Sequence, residues 1–463
     1  MNLEKVYSYL PCWLQSIAVC AEGCRIRRNR FGGDYERLFE EATDRTFFSE
    51  ESIREFRDSR LREFVRYAYN TSPYYNRLLD AQQIHPNEIN GLADLSHLPI
   101  LTKRQAQDEH FSLLSNAVPV QKRIIEHTSG TTGAGLRFAT TREALQEQWA
   151  VWCRYRSWHG LQLGTWCAYF GGRSVITTEQ SSPPFWRCNY PGKQILFSGY
   201  HMSPTNLNHY ISQLRRKAPP WIHGFPSLIA LLASHILERK VDIGYQVRWV
   251  TTGSENLLPQ QAELITRAFG VKPRQHYGLE EAVANVSECE LGNLHVDEDF
   301  AAVEFIKQEN SDGYSIVGTN FTNPAFPLIR YDSNDIVTLS ETKCSCGRPG
   351  RIVKTLDGRL QDYVLLRNGA RIGVMDLVFT KSVNIREAQF YQREPGVLIL
   401  RVVRGPHYKQ TDEELLLAEC FKRVGSETTV SIKYVDDLER SSTGKLRLVI
   451  SDIPEAKRDS LNV

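Results

Sequence analysis

Five short runs in this chain combine residue types that can handle phosphates and a reacting carboxylate. The first is Thr128-Ser-Gly-Thr-Thr-Gly133, which follows the apolar pair Ile124-Ile125. Glycines let backbone N–H groups approach an anion closely, and interleaved hydroxyls add donors. No Gly-Lys-Ser/Thr follows, so this is not a Walker loop. The second is Gln275-His-Tyr-Gly-Leu-Glu-Glu281, where a tyrosine could stack on a purine and a carboxylate could hold Mg²⁺ against phosphates. The third is Pro327-Leu-Ile-Arg-Tyr-Asp-Ser-Asn-Asp335, in which Asp335 could accept two hydrogen bonds from ribose hydroxyls. Asp357-Gly-Arg359 is the fourth. The fifth is Ser442-Thr-Gly-Lys-Leu446, where a lysine beside a glycine can bring one positive charge to a developing anion. Singly, each has a plain structural reading: a turn, a core aromatic, a solvated acidic pair.

A second constellation concerns metal. Cys289 and His295 lie six positions apart, and Cys344 and Cys346 two apart. Three thiolates and one imidazole make a common structural Zn²⁺ set, although the Cys-x-Cys spacing is tighter than usual. The competing reading is buried thiols with a satisfied histidine. A closed four-ligand site would have no open position for catalysis.

The elements around these runs must position them. Residues 33–80 have helical apolar spacing, interrupted at Asn70-Thr-Ser-Pro73. From about 120 to 335, strand-like and helical runs alternate. Helices are expected at Thr140–His159 and Pro226–Arg239, and strands at Val247–Thr252 and Ala301–Ile306. Such alternation argues for an α/β class with a buried sheet. Strands are expected across Ser311–Tyr331, with Asp312-Gly313 as a hairpin turn. Past Gly358 the pattern restarts, and an α+β domain of about 100 residues fits there, with a helix at Asp412–Val424. The expected organisation is a large domain over 1–357, whose first 95 residues or so form a helical segment, and a small mobile domain over 358–463.

Bulk properties exclude several classes. A chain of 463 residues has room for two or three domains. Lys+Arg of 56 against Asp+Glu of 54 gives no reason to expect a nucleic-acid partner. Ten mostly scattered cysteines fit reduced thiols in a cytoplasmic setting. Residues 8–21 read poorly as a signal peptide, and no apolar run approaches the roughly 20 residues of a membrane span. Arg25, Arg27, Arg28 and Arg30 could lean a short helix onto a membrane surface, or simply form a solvated face.

Taken in order, the five runs resemble the adenylate-forming superfamily of acyl-CoA synthetases, adenylation domains and luciferases, over roughly residues 95–450. Within it they are most similar to the phenylacetate–CoA ligase and CapK-like branch. The Leu98–Lys103 lead-in, the Pro-Leu-Ile-Arg-Tyr run at 327–331, Cys344–Arg348 and Tyr-Asn-Thr-Ser-Pro-Tyr-Tyr at 69–75 carry that likeness. The resemblance implies that Ser129, Gly130, Thr131, Thr132 and Gly133 hold the ATP phosphates. It implies that Ser254 and Glu255 line the adenine pocket, that Tyr277 and Gly278 flank the adenine, and that Glu281 associates with Mg²⁺. Asp335 would hold the ribose, Arg359 ribose or phosphate, and Lys445 would stabilise the adenylation transition state. Gln361, with Asp362, falls at the hinge. His223, Gly224, Phe225 and Ser227 match the acyl pocket; Phe170-Gly-Gly172 and Phe197–His201 are further candidates to line it. Departures from the pattern are Ala134-Gly135 after the phosphate run, Glu280 in place of a threonine, Asn334 in place of a glycine, and Gln361 at the hinge.

The implied activity is ATP-dependent carboxylate activation through an acyl-adenylate, followed by transfer to CoA or another thiol. The alternative acceptor is an amine of a sugar or amino acid, in keeping with the association of CapK-like proteins with surface polysaccharide biosynthesis. A non-catalytic nucleotide-binding relative is the third reading, and retention of Thr131, Glu281, Asp335, Arg359 and Lys445 argues against it. Nothing in the sequence indicates the carboxylic acid or the oligomeric state.

Overall fold

The computed structural model describes residues 6–7, 9–128, 136–171, 175–176, 180–199, 201–202, 205–308, 313–359, 364–367, 371–372, 375, 378, 384–405, 407–439 and 447–453. Two compact units emerge, both built from separated stretches of chain. The first takes residues 1–21, 164–275 and 357–463; the second takes 22–163 and 276–356.

The first unit holds a parallel run of strands in which Trp249–Thr252, Trp221–Gly224, Cys167–Phe170 and Gln194–Phe197 are successive neighbours. Trp186–Asn189 closes the edge antiparallel. Parallel strands need crossovers, and helices such as Leu207–Lys217 and Pro226–Glu238 supply them. Pro226 and Pro259 each sit at the start of a helix, where a missing N–H costs nothing. The helix Pro226–Glu238 is apolar nearly all round, and ten of its residues are buried, from Pro226 to Ile236. Phe170 and Phe197 stack at 4.7 Å within the core beside them.

The same unit contains a four-stranded sheet in the order Thr429–Tyr434, Val397–Arg404, Ile385–Glu394, Val449–Ser451. Its central strand alternates buried and half-buried positions, so one face packs on a core that includes Leu416 and Cys420 of the helix Gln410–Val424.

In the second unit, helices Tyr35–Asp44, Glu50–Thr71, Pro73–Ala81 and Arg142–Trp158 accompany mostly antiparallel strands. Ser49 caps Glu50–Thr71, its hydroxyl accepting from Ser52 N–H at 3.0 Å. Ala302–Lys307 pairs antiparallel with Tyr314–Thr319, which pairs with Tyr331–Leu339. Asp312 lies outside the described residues, while Gly313 closes the neck of that hairpin by accepting from Gln308 N–H at 3.0 Å. The architecture is mixed α/β with a C-terminal α+β portion, as the sequence pattern indicated. Among the described residues, no helix is long and apolar enough to cross a membrane.

Candidate functional site

Tyr277 and Asp335 come together in the second unit. The strand Arg274–Gly278 pairs antiparallel with Asn285–Glu288, with Tyr277 opposite Val286 and Gly278 opposite Asn285. Tyr277 donates its phenolic O–H to Asp335 Oδ2 at 2.7 Å. Burial, and then the Asp335 carboxylate beside it, push the phenol well above its ordinary value, and Glu281 adds a smaller push. The phenol therefore stays a donor at any working pH. Asp335 is itself oriented by a local turn, its N–H donating to Ser333 Oγ at 3.1 Å.

Two residues next to this pair have clear steric reasons. Asn334 has φ +58°, a left-handed conformation that asparagine tolerates almost as well as glycine. Its replacement of the family's glycine is therefore conformationally cheap. At Gly278, a Cβ would lie 2.8 Å from Asn285 Oδ1 and 3.2 Å from Trp152. That space is taken because Trp152 Nε1 donates to Asn285 Oδ1 at 2.9 Å. Glu281 is buried, and its backbone carbonyl accepts from Asn320 Nδ2 at 3.1 Å.

Elsewhere, the phosphate-loop residues Ser129, Gly130, Thr131, Thr132 and Gly133 lie outside the described residues, but the neck of their loop does not. Ile124–His127 pairs antiparallel with Arg137–Thr140, and Thr128 and Leu136 exchange hydrogen bonds of 2.9 Å just above the ladder. Gln361, Asp362 and Lys445 also lie outside the described residues. Arg359 ends the strand Ile352–Arg359, and only its backbone is described.

The first unit places Ser254, Glu255 and the candidate acyl-pocket residues. Ser254 has φ +67° in a tight turn. Glu255 Oε2 accepts from Ser227 N–H at 3.3 Å, which sets a carboxylate at the N-terminus of the helix Pro226–Glu238, where the helix dipole favours it. His223 Nδ1 lies 3.1 Å from the Thr251 carbonyl and 2.9 Å from Thr251 Oγ1, and Trp221 Nε1 donates to the same hydroxyl at 2.8 Å. Gly224 is required: its φ is +157°, and a Cβ would stand 1.8 Å from the Phe170 carbonyl. Phe225 and Ser227 are buried. His201 is buried, stacked on Phe185 at 4.9 Å with Nδ1 2.7 Å from Ser198 Oγ, so a ring stack and one hydrogen bond hold it in the core.

The metal quartet is also assembled. The ligand atoms of Cys289, His295, Cys344 and Cys346 all lie within 4.8 Å of one another. Cys289 Sγ and Cys344 Sγ are 3.7 Å apart, and Cys346 Sγ is 3.3 Å from His295 Nε2. A tetrahedral Zn²⁺ with Zn–S near 2.3 Å has S···S edges of about 3.8 Å, so the donor set fits. His295 Nδ1 lies 3.1 Å from the Pro349 carbonyl, which fixes the proton there and turns Nε2 toward the thiols. Burial lowers the His295 pKa, keeping the ring in its ligating neutral form. Burial also pushes the Cys289 thiol up to about 11, a cost that a cation would offset.

What the motifs missed is a buried ionic network behind this quartet. Arg154 donates to Asp297 at 2.7 Å and to Asp299 at 2.7 and 3.0 Å, and Arg45 donates to Asp299 at 2.7 Å. Asp297 in turn accepts from Asn285 and from Ser287 Oγ. The run Asp297-Glu-Asp299 beside His295 was the one available signal, because three adjacent buried acids require partners.

Comparison with known proteins adds the evolutionary context. Residues 366–452 match a family model described as the CapK C-terminal domain. Protein CapK of Staphylococcus aureus is 24% identical over 460 residues, covering 97% of this chain and all of that protein. A phenylacetate-coenzyme A ligase of Thermus thermophilus is 25% identical over 440 residues, 86% of this chain and 96% of that enzyme. Among solved structures, 2-hydroxyisobutyryl-CoA ligase in the postadenylation state with R3-HIB-AMP superposes with a TM-score of 0.66 at 17% identity, over 90% of this chain and 93% of that one. The chain is a homologue of CapK and of phenylacetate-coenzyme A ligases along most of its length, and its C-terminal part matches the CapK C-terminal domain.

Proposed function

We propose that this protein activates a small carboxylic acid with ATP and passes the acyl group to a CoA-like thiol. The observation that carries the reading is the part-buried Tyr277–Asp335 hydrogen bond, which holds an aromatic ring beside a carboxylate, the two groups that recognition of an adenosine would use. Tyr277 and Gly278 would flank the adenine with Ser254 and Glu255, and Asp335 would accept from the ribose hydroxyls. Ser129 to Gly133 would donate to the phosphates, and Arg359 would add a positive charge there. Glu281 would hold Mg²⁺, whose bound charge offsets that of the phosphates.

In the first step, a substrate carboxylate oxygen attacks the α-phosphorus, the bond to the bridging oxygen breaks, and pyrophosphate leaves. Lys445 would stabilise the charge on the transferring phosphoryl oxygens. In the second, a thiolate attacks the acyl carbon and AMP departs. We take residues 358–463 as a small mobile domain, turning at Gln361 and Asp362, that exchanges Lys445 for the acceptor. The substrate's acyl group would lie near His223, Gly224, Phe225 and Ser227. Cys289, His295, Cys344 and Cys346 would hold a structural Zn²⁺. ATP, CoA and the free cysteines together suit a cytoplasmic enzyme.

The test is acid-dependent pyrophosphate release with hydroxylamine trapping, across aryl, short acyl, amino and sugar acids, and then addition of CoA or amines. Acid-dependent hydroxamate formation and a CoA thioester are expected. Turnover with an amine alone would replace the thiol acceptor, and no turnover on any acid despite ATP binding would overturn the enzymatic reading.

A further inference from the structure

The helix Cys12–Phe31 presents an unusual outer face. Its inner side is anchored to the body of the protein. Gln15 is buried with Oε1 accepting from Arg187 Nε at 2.8 Å, and Gly23, about two turns further along that side, is buried as well. On the outer side, Trp13 is 64% and Ile17 56% exposed, and Tyr9, just before the helix, is 88% exposed. A single exposed apolar side chain is ordinary, but three within nine residues of a pinned segment are a patch.

The charges on this helix are segregated. It carries Arg25, Arg27, Arg28 and Arg30 against Glu22 alone. At about 100° per residue, Trp13, Ile17, Cys24, Arg27 and Arg28 fall within an arc of about 100°, which the half-buried Cys20 and Phe31 share, whereas Glu22 lies about 180° from Trp13. Arg27 and Arg28 are exposed. One face thus offers two aromatic rings and an isoleucine at one end and guanidinium groups about three turns further on, with no acid between them.

We propose that this face docks on an anionic lipid bilayer. Tryptophan and tyrosine rings settle at headgroup depth, and arginines pair with lipid phosphates. An apolar protein groove would complement Trp13 and Ile17 but not the arginines on the same arc. Anionic headgroups complement both. The helix would lie in the plane of the membrane surface, since it is not apolar enough to cross. The inference is independent of the chemistry proposed above.

The test is co-sedimentation of the full chain with phosphatidylcholine vesicles and with vesicles of equal phosphatidylcholine and phosphatidylglycerol. Binding to the mixed vesicles is expected to exceed that to neutral ones at least tenfold and to weaken as salt rises. Trp13→Ser/Ile17→Ser and Arg28→Glu should each lower it at least tenfold while melting like the parent, because these three side chains are exposed. Equal binding by parent and variants would overturn the proposal, as would no binding to anionic vesicles. So would a dimer that Trp13→Ser/Ile17→Ser dissociates, since the occupant would then be a second copy.

Discussion

Tyr277 and Asp335, 58 residues apart in the chain, meet through a 2.7 Å hydrogen bond in which the phenol donates to the carboxylate. Because the phenol is held well above its ordinary pKa, it remains the donor that orients the carboxylate through the neutral and mildly alkaline range. The carboxylate proposed to hold a ribose is therefore set before any nucleotide arrives.

Tyr277→Phe should weaken ATP binding about tenfold, the worth of one hydrogen bond to a charged group. Titration calorimetry with ATP reads this directly. An unchanged affinity would remove Asp335 orientation from the account of binding.

Lys445→Ala should slow pyrophosphate release by at least about 100-fold, since a transition-state charge contact of this kind contributes roughly 3 kcal/mol. ATP affinity should change little. Loss of ATP binding in step with rate would mean that the lysine acts on the ground state instead.

The quartet of Cys289, His295, Cys344 and Cys346 should copurify with one zinc per chain, measured by elemental analysis. Cys344→Ser should lose the metal and lower thermal stability by several kcal/mol, since a structural site's binding energy is folding energy. Full stability of a metal-free sample would show that the thiols are simply packed.

Asp299 gives a pH prediction. Burial alone would raise its pKa, but Arg154 and then Arg45 outweigh that and hold it well below the carboxylate range. An acid lowered by folding contributes stability that is complete above its ordinary value of 3.8 and disappears as pH falls below it. Asp299→Asn should cost about 3–5 kcal/mol at pH 7, because it breaks a buried pair. The gap to wild type should then narrow by about 1 kcal/mol at pH 3, where unfolded Asp299 is mostly protonated and the folded form is not. Thermal unfolding from pH 7 to 3 measures the convergence. A gap that stays constant would show that Asp299 is not held low.

Much of the scaffold was legible because it depends on local pattern. The helix expected at Pro226–Arg239 is found at Pro226–Glu238, and the strand expected at Ala301–Ile306 is found at Ala302–Lys307. The break at Asn70–Pro73 likewise separates the helices Glu50–Thr71 and Pro73–Ala81. The cysteine and histidine set was legible by ligand type, and the structure brings its four ligand atoms together. What stayed hidden depends on pairs far apart in sequence. Arg154 and Asp299 are 145 residues apart, and Trp152 and Asn285 are 133 apart. No periodicity reports such contacts. Asn334, named from the sequence as a departure from the family's glycine, has a φ of +58°, a conformation asparagine adopts more readily than other non-glycine residues.

The order in which the chain is made bears on how it can fold. The first unit draws on residues 1–21, 164–275 and 357–463, so its opening stretch leaves the ribosome long before its last partners exist. Premature termination before about residue 275 would leave apolar strands such as Cys167–Phe170 and Trp221–Gly224 without their later neighbours, in an unfinished structure prone to aggregate. Heterologous production of this protein should therefore be more sensitive to truncated transcripts and to chaperone supply than its length alone would suggest.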